Sequence, residues 1–571
     1  MRLRYPRTPH LPWSPGATSD DVRVSQLGRL HDCEVVVTEK LDGENTTLAR
    51  DFTHARSLDS AHHSSRTHIK ALQARIAHRI PPGWRICGEN LFARHSVPYD
   101  ALPAWFVAFN VWDDTDRCLD WDHTVRFCRN LGIPTAPVLY RGPFDPRQLR
   151  KLRVDTVTCE GFVVRTTAGF SRKDFPHHVA KWVRAGHVTD TSGVHWMLRS
   201  IVPNKRGPEA ALWELRSGGR VDGTALQAAL GVTEDLQDGS IEAVFARIPT
   251  HGRSGDSRLA AAAAVCTHHW TDHARLSRLT PLLGHHTARQ ATALAHFAPR
   301  IRLAMPDHTR RAGLTSLARS VDLGLLHGVA AALAEHQNDH EGAEQVAWSE
   351  AHAEEAGLLA AEPLAWLRQP LEATLAEPLE DQLWDGIVRA FGEGRLHSPE
   401  EALALLPTLR ERASGAFVRL VVGPSGSGKS TFLASLSPED RGKTISLDDL
   451  RAKRGDRSDQ DHNQAVVAEA TELLREGLRA RRTLTWDATS LSALHRRHVL
   501  ALADRYRAAT HIDCLVVEDE VLHARNRNRR HAVPPSIVDE QLQQLAWPWA
   551  HEAHTILDRD SQGERLGRVR A

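Results

Sequence analysis

The chain of 571 residues has no C-x-x-C pair, no long apolar run and almost no net charge. Each absence excludes something. Seven scattered cysteines give neither a disulfide framework nor a zinc site, and they fit a reducing cytosol. The longest apolar stretches, such as Leu259 to Cys266, are far too short to cross a bilayer, so no membrane partner is expected. The N-terminal MRLRYPRTPHLPWSPG has no apolar h-region, so no secretory signal is expected and a cytoplasmic location is. A formal net charge of +1 provides no global field for nucleic acid, so any such contact must use local patches. No internal repeat stands at a fixed period.

What is present is ordinary soluble composition spread over a length that implies two to four domains. Residues 1 to 204 read as mixed α and β. Runs such as Cys33–Thr38, Trp105–Trp112 and Glu160–Arg165 have the β-branched and aromatic character of strands. Residues 205 to 413 are rich in alanine, leucine and charge at helical spacing, and read as an all-α middle region. From 414 the pattern returns to α/β, with Ser414-Gly415 at the boundary. The fold class expected is multidomain α/β: an N-terminal α+β domain, a helical middle, and a C-terminal domain on a parallel sheet.

The run Phe417–Val422 leads into Gly423-Pro424-Ser425-Gly426-Ser427-Gly428-Lys429-Ser430, followed by a helical stretch from Thr431. This is the full G-x-x-x-x-G-K-[ST] pattern in its strand–loop–helix setting. Gly423, Ser425, Gly426, Ser427, Gly428 and Thr431 belong to a loop whose backbone amides can wrap ATP phosphates. Lys429 supplies a cation to the β/γ oxygens, and Ser430 can ligate Mg²⁺ or Mn²⁺. The next strand ends in Asp448-Asp449-Leu450-Arg451. Asp448 is placed to take the proton of an attacking hydroxyl, and Arg451 to hold the acceptor's phosphate. A later strand ends at Asp487-Ala488-Thr489, where Asp487 is a metal or water ligand candidate. The basic run Arg525-Asn526-Arg527-Asn528-Arg529 before Val533-Pro534 reads as an arginine lid.

Together these segments resemble the 5′-OH polynucleotide kinases of phage and bacterial end-healing families, over about residues 415–560. The resemblance implies that Asp448 is the general base. It also implies that Arg451 grips the scissile-end phosphate and that one or two of Arg525, Arg527 and Arg529 act on the ATP phosphates.

Near the start stands Glu39-Lys40-Leu41-Asp42-Gly43-Glu44-Asn45, which contains K-x-D-G. Such a lysine, deprotonated and aligned, can attack an α-phosphate to form a phosphoramidate. Arg56, Glu89, Phe106 and Phe109, Glu160 and Lys181 follow in order. The series is similar to the motifs of the covalent nucleotidyltransferase superfamily, and E-K-x-D-G-E-N looks like its RNA ligase branch, over about residues 20–205. By that resemblance Lys40 becomes adenylated and Glu39 approaches the adenine. Arg56 and Glu89 approach the ribose and acceptor end, and Phe106 or Phe109 stacks on the base. Glu160 serves metal or lysine positioning, and Lys181 contacts the α-phosphate. The family often shows a second lysine beside the last one. Here Trp182-Val183-Arg184 follows. The chain turns helical after Trp196–Ile201, where a DNA ligase or capping enzyme would begin a short-stranded barrel.

The expected activity is therefore RNA end repair: ATP-dependent phosphorylation of 5′-OH ends, then sealing to a 3′-OH through lysyl-AMP and adenylated RNA. Broken tRNA is the expected substrate, with a separate enzyme healing the 3′ end. A DNA kinase-ligase and a non-catalytic, ATP-sensing RNA scaffold are the alternatives. In the helical middle, His285-His286-Thr287 gives one H-x-T without a second to form a two-histidine phosphodiesterase.

Overall fold

The computed structural model describes residues 2–569 except 19–20, 25–26, 32, 59–62, 156–157, 186–199, 234–243, 245, 249–252, 414, 455–462 and 529–531. Most of the turn into helix at Trp196, Ser414 of the expected boundary, and Arg529 of the arginine lid lie outside the described residues. The chain forms two compact units. Unit 1 holds Met1–Asp238 and Ser254–Leu259, and unit 2 holds Gly239–Arg253 and Ala260–Ala571. Every helix or strand described between Ala210 and Arg412 is a helix, and these helices fall partly in each unit. No single helix among the described residues is long and apolar enough to cross a membrane.

Unit 1 is built on two antiparallel sheets. The first has the order β10-β8-β1-β7, with β1 (Glu34–Lys40), β7 (Val138–Pro143), β8 (Gly161–Thr166) and β10 (Val179–Val183). The second has the order β3-β2-β4-β5-β6-β9, with β2 (Glu44–Ala49), β3 (Thr53–Ala55), β4 (Arg85–Asn90), β5 (Phe106–Trp112), β6 (Arg117–Cys118) and β9 (Phe170–Ser171). The valines of β1 suit a strand buried on both faces. Register then sorts the side chains. Thr38 pairs with Val163, Lys40 with Gly161, and Lys181 with Val163. The period of two along each strand puts Thr38, Lys40, Val163 and Lys181 on one face. The opposite face carries Val35, Val37, Phe162, Val164 and Ala180, which form an apolar core.

On the second sheet the helices Thr67–Ile76 and Trp121–Leu131 bring Ile69, Leu72, Ile76, Cys128 and Leu131 into a core with Phe106, Ala108 and Val111. A register shift lies between Cys87 and Gly88. Gly88 pairs with Ala108 and Cys87 with Asn110, so Phe109 is the extra residue. Such a bulge changes which residues face inward beyond it.

Unit 2 carries a six-stranded sheet of order β12-β13-β11-β14-β15-β16. Its members are β11 (Phe417–Val422), β12 (Lys443–Ser446), β13 (Thr483–Asp487), β14 (Ala509–Leu515), β15 (Thr555–Arg559) and β16 (Arg565–Arg568). The first five are parallel. The parallel sheet expected from the sequence is present in those five strands, and β16 adds an edge hairpin by pairing antiparallel with β15. From β11 the chain goes to the edge at β12, returns through β13 beside β11, and then passes to the other side at β14. That reversal opens a crevice at the carboxyl end of β11. The helix His285–Ile301 meets the sheet through buried Asp558, whose carboxylate takes His285 Nε2 at 3.0 Å and Arg289 Nε at 3.2 Å. Burial works to raise the Asp558 pKa, but Arg289 and His285 hold it below the usual carboxylate range. The H-x-T histidine is thus a structural ion-pair partner.

Candidate active sites

The face of β1, β8 and β10 that bears Lys40 lines a cavity of about 650 Å³ in unit 1. Lys40 Nζ makes an ion pair with Glu160 Oε2. The pairing follows from register, because the last residue of β1 sits opposite Gly161 and so beside Glu160. Glu39, Arg56, Glu89, Phe109 and Lys181 also line this cavity. Glu89 arrives from β4, directly across from Asn45 on β2. Six of the seven residues expected from the nucleotidyltransferase motifs are thereby brought together around one lysine.

Phe106 is the correction. It is 2% exposed and packs in the core under the second sheet. Two strand residues three apart face opposite ways, so the alternation that buries Phe106 leaves Phe109 on the cavity side. Phe109 meets Tyr5 edge-on, with ring centroids 5.2 Å apart. Of the two phenylalanines, Phe109 is the one that lines the cavity.

The loop after Lys40 is held rigidly. Asp42 Oδ2 accepts from Ser96 N (2.8 Å), Ser96 Oγ (2.6 Å) and Val97 N (2.8 Å). Tyr99 Oη accepts from Asp42 N at 2.9 Å. A Cβ on Gly43 would stand 2.4 Å from Asn90 O, so only glycine lets this loop lie against β4. Glu44 forms a two-pronged ion pair with Arg66, one limb at 2.7 Å. The Asp and Gly of K-x-D-G therefore hold the loop that follows the lysine.

The electrostatics of the cavity are strained in a particular direction. Burial pushes Glu89 up to about 8, Lys40 opposes this, and Glu160 and Asp42 add to it. Burial also raises Glu39. Lys181 is lowered by burial and by Lys40, and Arg56 is lowered by burial and by Arg7. A cavity that resists charge on Glu89 while crowding Lys40, Lys181 and Arg56 is suited to a ligand carrying both phosphate and a divalent cation. Glu89 and Glu160 are the carboxylates that fit such a cation.

The Glu89 shift has a measurable consequence. Its folded pKa lies above its unfolded value, so the folded chain binds the extra proton. Stability from this group is present below about pH 4.5 and is lost as pH rises toward about 8. Glu89→Gln is expected to melt at a higher temperature than the parent near pH 8 and to lose that advantage near pH 4.5. Thermal melts across that window check it, and parallel curves would refute the assignment.

Sequence reading missed Tyr5, Asn110 and Arg165 at this cavity. Arg165 donates to Asn110 Oδ1 and to Leu119 O at 2.8 Å, and Asn110 Nδ2 donates to Tyr5 Oη at 2.7 Å. A buried arginine in a strand was the one available signal. Tyr5 had none, since it lies in an irregular N-terminal segment.

In unit 2 the P-loop opens onto a cavity of about 1080 Å³ lined by Ser425, Gly426, Gly428, Lys429, Ser430 and Thr431. Gly428 has φ +97°, a left-handed conformation that frees the loop to cap the helix Lys429–Ser435. Lys429 Nζ donates to Gly423 O at 2.9 Å and Pro424 O at 3.0 Å. Ser425 N donates to Gln541 Oε1 at 2.7 Å. Gly423 does not line the cavity, because its place is filled by Ser427, whose Oγ a Gly423 Cβ would meet at 2.5 Å. Ser427 is fully buried, so neither supplies a cavity wall.

Asp448, Arg451 and Asp487 share this cavity. Asp448 is 56% exposed and takes Arg451 Nη1 at 2.7 Å, and Arg451 Nη2 donates to Asn463 Oδ1 at 3.0 Å. Asp487 ends β13, in register with Ser446 of β12 and Val421 of β11. Burial raises its pKa, while Lys429 opposes the rise. Among the described residues no group of three or more His, Cys, Asp or Glu could hold a metal ion. Ser430 and Asp487 nonetheless fit Mg²⁺ or Mn²⁺, which needs one or two protein oxygens when phosphates supply others.

The lid arginines are corrected in register. Arg525 lines the cavity and donates to Ser561 O at 2.9 Å. Arg527 lies outside the cavity lining and is exposed. Both stand on the helix Asp519–Arg527, where two residues turn the side chain by about 200°. Asn526 between them is buried and bonds Val533 in both directions, at 2.6 and 3.1 Å. Sequence reading missed Gln541, Asn463, His495 and His498, which are carried in from separate helices.

Residues 33–183 match the RNA ligase family model, and residues 418–548 match an AAA domain model. Among solved structures, a Naegleria gruberi RNA ligase with ATP and manganese is 14% identical, covers 28% of this chain and 52% of its own, and has a TM-score of 0.21. An archaeal ATP-dependent RNA ligase is 13% identical over 52% of this chain and 66% of its own, with a TM-score of 0.24. The chain thus spans about half the length of the Naegleria protein. None of the curated proteins matches. The chain joins a domain of the RNA ligase family, residues 33–183, to a P-loop domain of the AAA type, residues 418–548.

Proposed function

We propose that the protein repairs broken RNA, phosphorylating a 5′-OH end in unit 2 and sealing it in unit 1. The observation that carries the reading is the gathering of Glu89, Glu160 and Lys181 around Lys40 in a chain that also holds Asp448 beside a P-loop. In unit 2, Lys429 and the loop amides bind ATP phosphates and Asp448 accepts the proton of the 5′-hydroxyl. Arg451 holds the acceptor phosphate, and Arg525 faces the transferring group. In unit 1, Lys40 attacks the α-phosphate of ATP. Its Nζ–P bond forms, the bond to pyrophosphate breaks, and the lysine proton leaves to a nearby base. AMP then passes to the RNA 5′-phosphate, and the 3′-OH displaces AMP to close the strand. Phe109 stacks the adenine, and Lys181 with Arg56 offsets phosphate charge.

A divalent cation, Mg²⁺ or Mn²⁺, would be held by Ser430 with Asp487 and by Glu160 with Glu89, and would neutralise phosphate charge there. The RNA ligase domain favours RNA over DNA. Broken tRNA in the cytoplasm is the proposed substrate and setting, with the 3′ end healed by another enzyme. The test is a nicked RNA stem-loop bearing 5′-OH and 3′-OH ends, incubated with ATP and Mg²⁺. Closure to a continuous strand is expected, with the 5′-phosphorylated form preceding it. Closure of only the matched DNA nick, or of neither, would overturn the reading.

A further inference from the structure

We propose that a second cavity in unit 2 binds backbone phosphates of the RNA strand whose 5′ end occupies the P-loop cavity, an inference that rests on the kinase reading above. This cavity measures about 500 Å³ and is walled by the helices His285–Ile301, Asp381–Gly392 and Ala493–Arg505. Trp549, His551 and His554 also line it. Arg300, Arg389 and Arg497 stand at it and are exposed.

The charges do not cancel locally. Of the three carboxylates present, Asp385 is engaged by Arg319 and by Arg389 Nη2 at 3.1 Å. Glu552 is gripped by Arg496 at 2.7 and 3.0 Å. Asp504 is the third and is exposed. Arg300 and Arg497 make no ion pair among the described residues, and Arg300 rests 5.2 Å from the Phe297 ring centroid. Two guanidiniums are therefore left to face Asp504. His554 Nδ1 accepts from Thr510 N at 3.0 Å, which leaves the proton of the neutral ring on Nε2. His551 lies among positive neighbours. Burial lowers its pKa, Glu552 opposes this, and Arg300 and Arg319 lower it further. Two guanidiniums and an imidazole N–H at one opening are the donor set of a phosphate site.

Position selects the source of that phosphate. Ala493, Arg497, Leu500, Ala501 and Asp504 face the second cavity, while Leu494, His495 and His498 of the same helix face the P-loop cavity. One helix, about 10 Å across, separates the two. A strand carries a phosphate about every 3.4 Å when stacked, so roughly three nucleotides bridge that width. A strand with its 5′-hydroxyl at Asp448 that crosses this helix would bring a phosphate about three nucleotides on to the side that carries Arg497.

The test compares the whole protein with Arg300→Gln/Arg497→Gln, using single-stranded 5′-OH RNAs from one to sixteen nucleotides. Binding is read without turnover by fluorescence anisotropy across a salt series, and phosphorylation is read with labelled ATP. For long RNA the salt slope is expected to fall by about 1.4, at about 0.7 per lost single-strand phosphate contact. KM for long RNA is expected to rise several-fold to that of the shortest substrate, with kcat and the KM for ATP unchanged. Arg300→Lys/Arg497→Lys, which keeps both charges, is expected to keep the slope. An unchanged slope in the glutamine variant overturns the proposal. So does equal weakening of the one-nucleotide substrate, which would mean a free-nucleotide site or a damaged fold. Failure of the parent to phosphorylate any RNA would sink the kinase reading, while the anisotropy slope still reads the cavity.

Discussion

Lys40→Ala is expected to abolish covalent labelling of the protein by α-labelled ATP and to reduce sealing of 5′-phosphorylated RNA by about 10⁵-fold or more, the scale seen when an enzyme's nucleophile is removed. The geometry makes the loss specific. Lys40 sits at the end of β1 with its ammonium on Glu160, and the P-loop belongs to the other compact unit. Phosphorylation of 5′-OH ends should stay within about twofold, since a site in the other unit with no shared partner behaves independently. One complication must be separated from chemistry. Removing Lys40 takes one partner from Glu160, which is 5% exposed, and breaking a buried ion pair so that a carboxylate charge stays behind can cost about 3–5 kcal/mol. Lys40→Ala/Glu160→Gln removes that charge and restores the melting temperature without restoring the label. If the single variant still labels, another nucleophile carries AMP. If the double variant labels, the lysine had only a structural role.

These outcomes depend on features that the sequence displays unevenly. K-x-D-G and the P-loop were legible because each packs its chemistry into a short, fixed spacing that backbone physics demands. Asp42 and Gly43 had to be there for the loop to meet Ser96, Val97 and Asn90. The alternation of helical and β-rich composition likewise gave the fold class. The Lys40–Glu160 pair was different. It joins residues 120 apart, and only the β1–β8 register creates it. The choice between Phe106 and Phe109 turned on which face of β5 packs on the helices, and a strand with apolar residues on both faces does not announce that. The choice among lid arginines turned on helical phase: 200° of rotation separates Arg525 from Arg527, and a basic run alone carries no phase. The boundary between compact units was hidden for a related reason. Helices of similar composition fall on both sides of it, so no shift in residue type marks where contacts change sides.

Asp448→Asn should reduce phosphorylation of 5′-OH RNA by about 10²–10⁴-fold while changing the KM for ATP little, the range expected when a general base is removed. Asparagine keeps the shape and can still accept a hydrogen bond from Arg451, which now sits 2.7 Å from the carboxylate. What it loses is the capacity to take a proton. Lys429→Ala has a different signature. That side chain folds back on Gly423 O and Pro424 O and lies where ATP phosphates would enter, so both ATP affinity and kcat should fall. Arg451→Gln forms the third arm. It should raise the KM for RNA more than for ATP, because the guanidinium stands beside Asp448 and Asn463 and away from the loop amides. The three patterns separate base, phosphate clamp and acceptor clamp within one cavity. Covalent adenylation at Lys40 should be unaffected in all three, and a thermal melt checks that unit 2 of each variant is folded. Full phosphorylation by Asp448→Asn would remove Asp448 from the mechanism even with the kinase activity intact. Asp487 would then be the next carboxylate to test. Burial raises its pKa against the pull of Lys429, with which it shares the cavity.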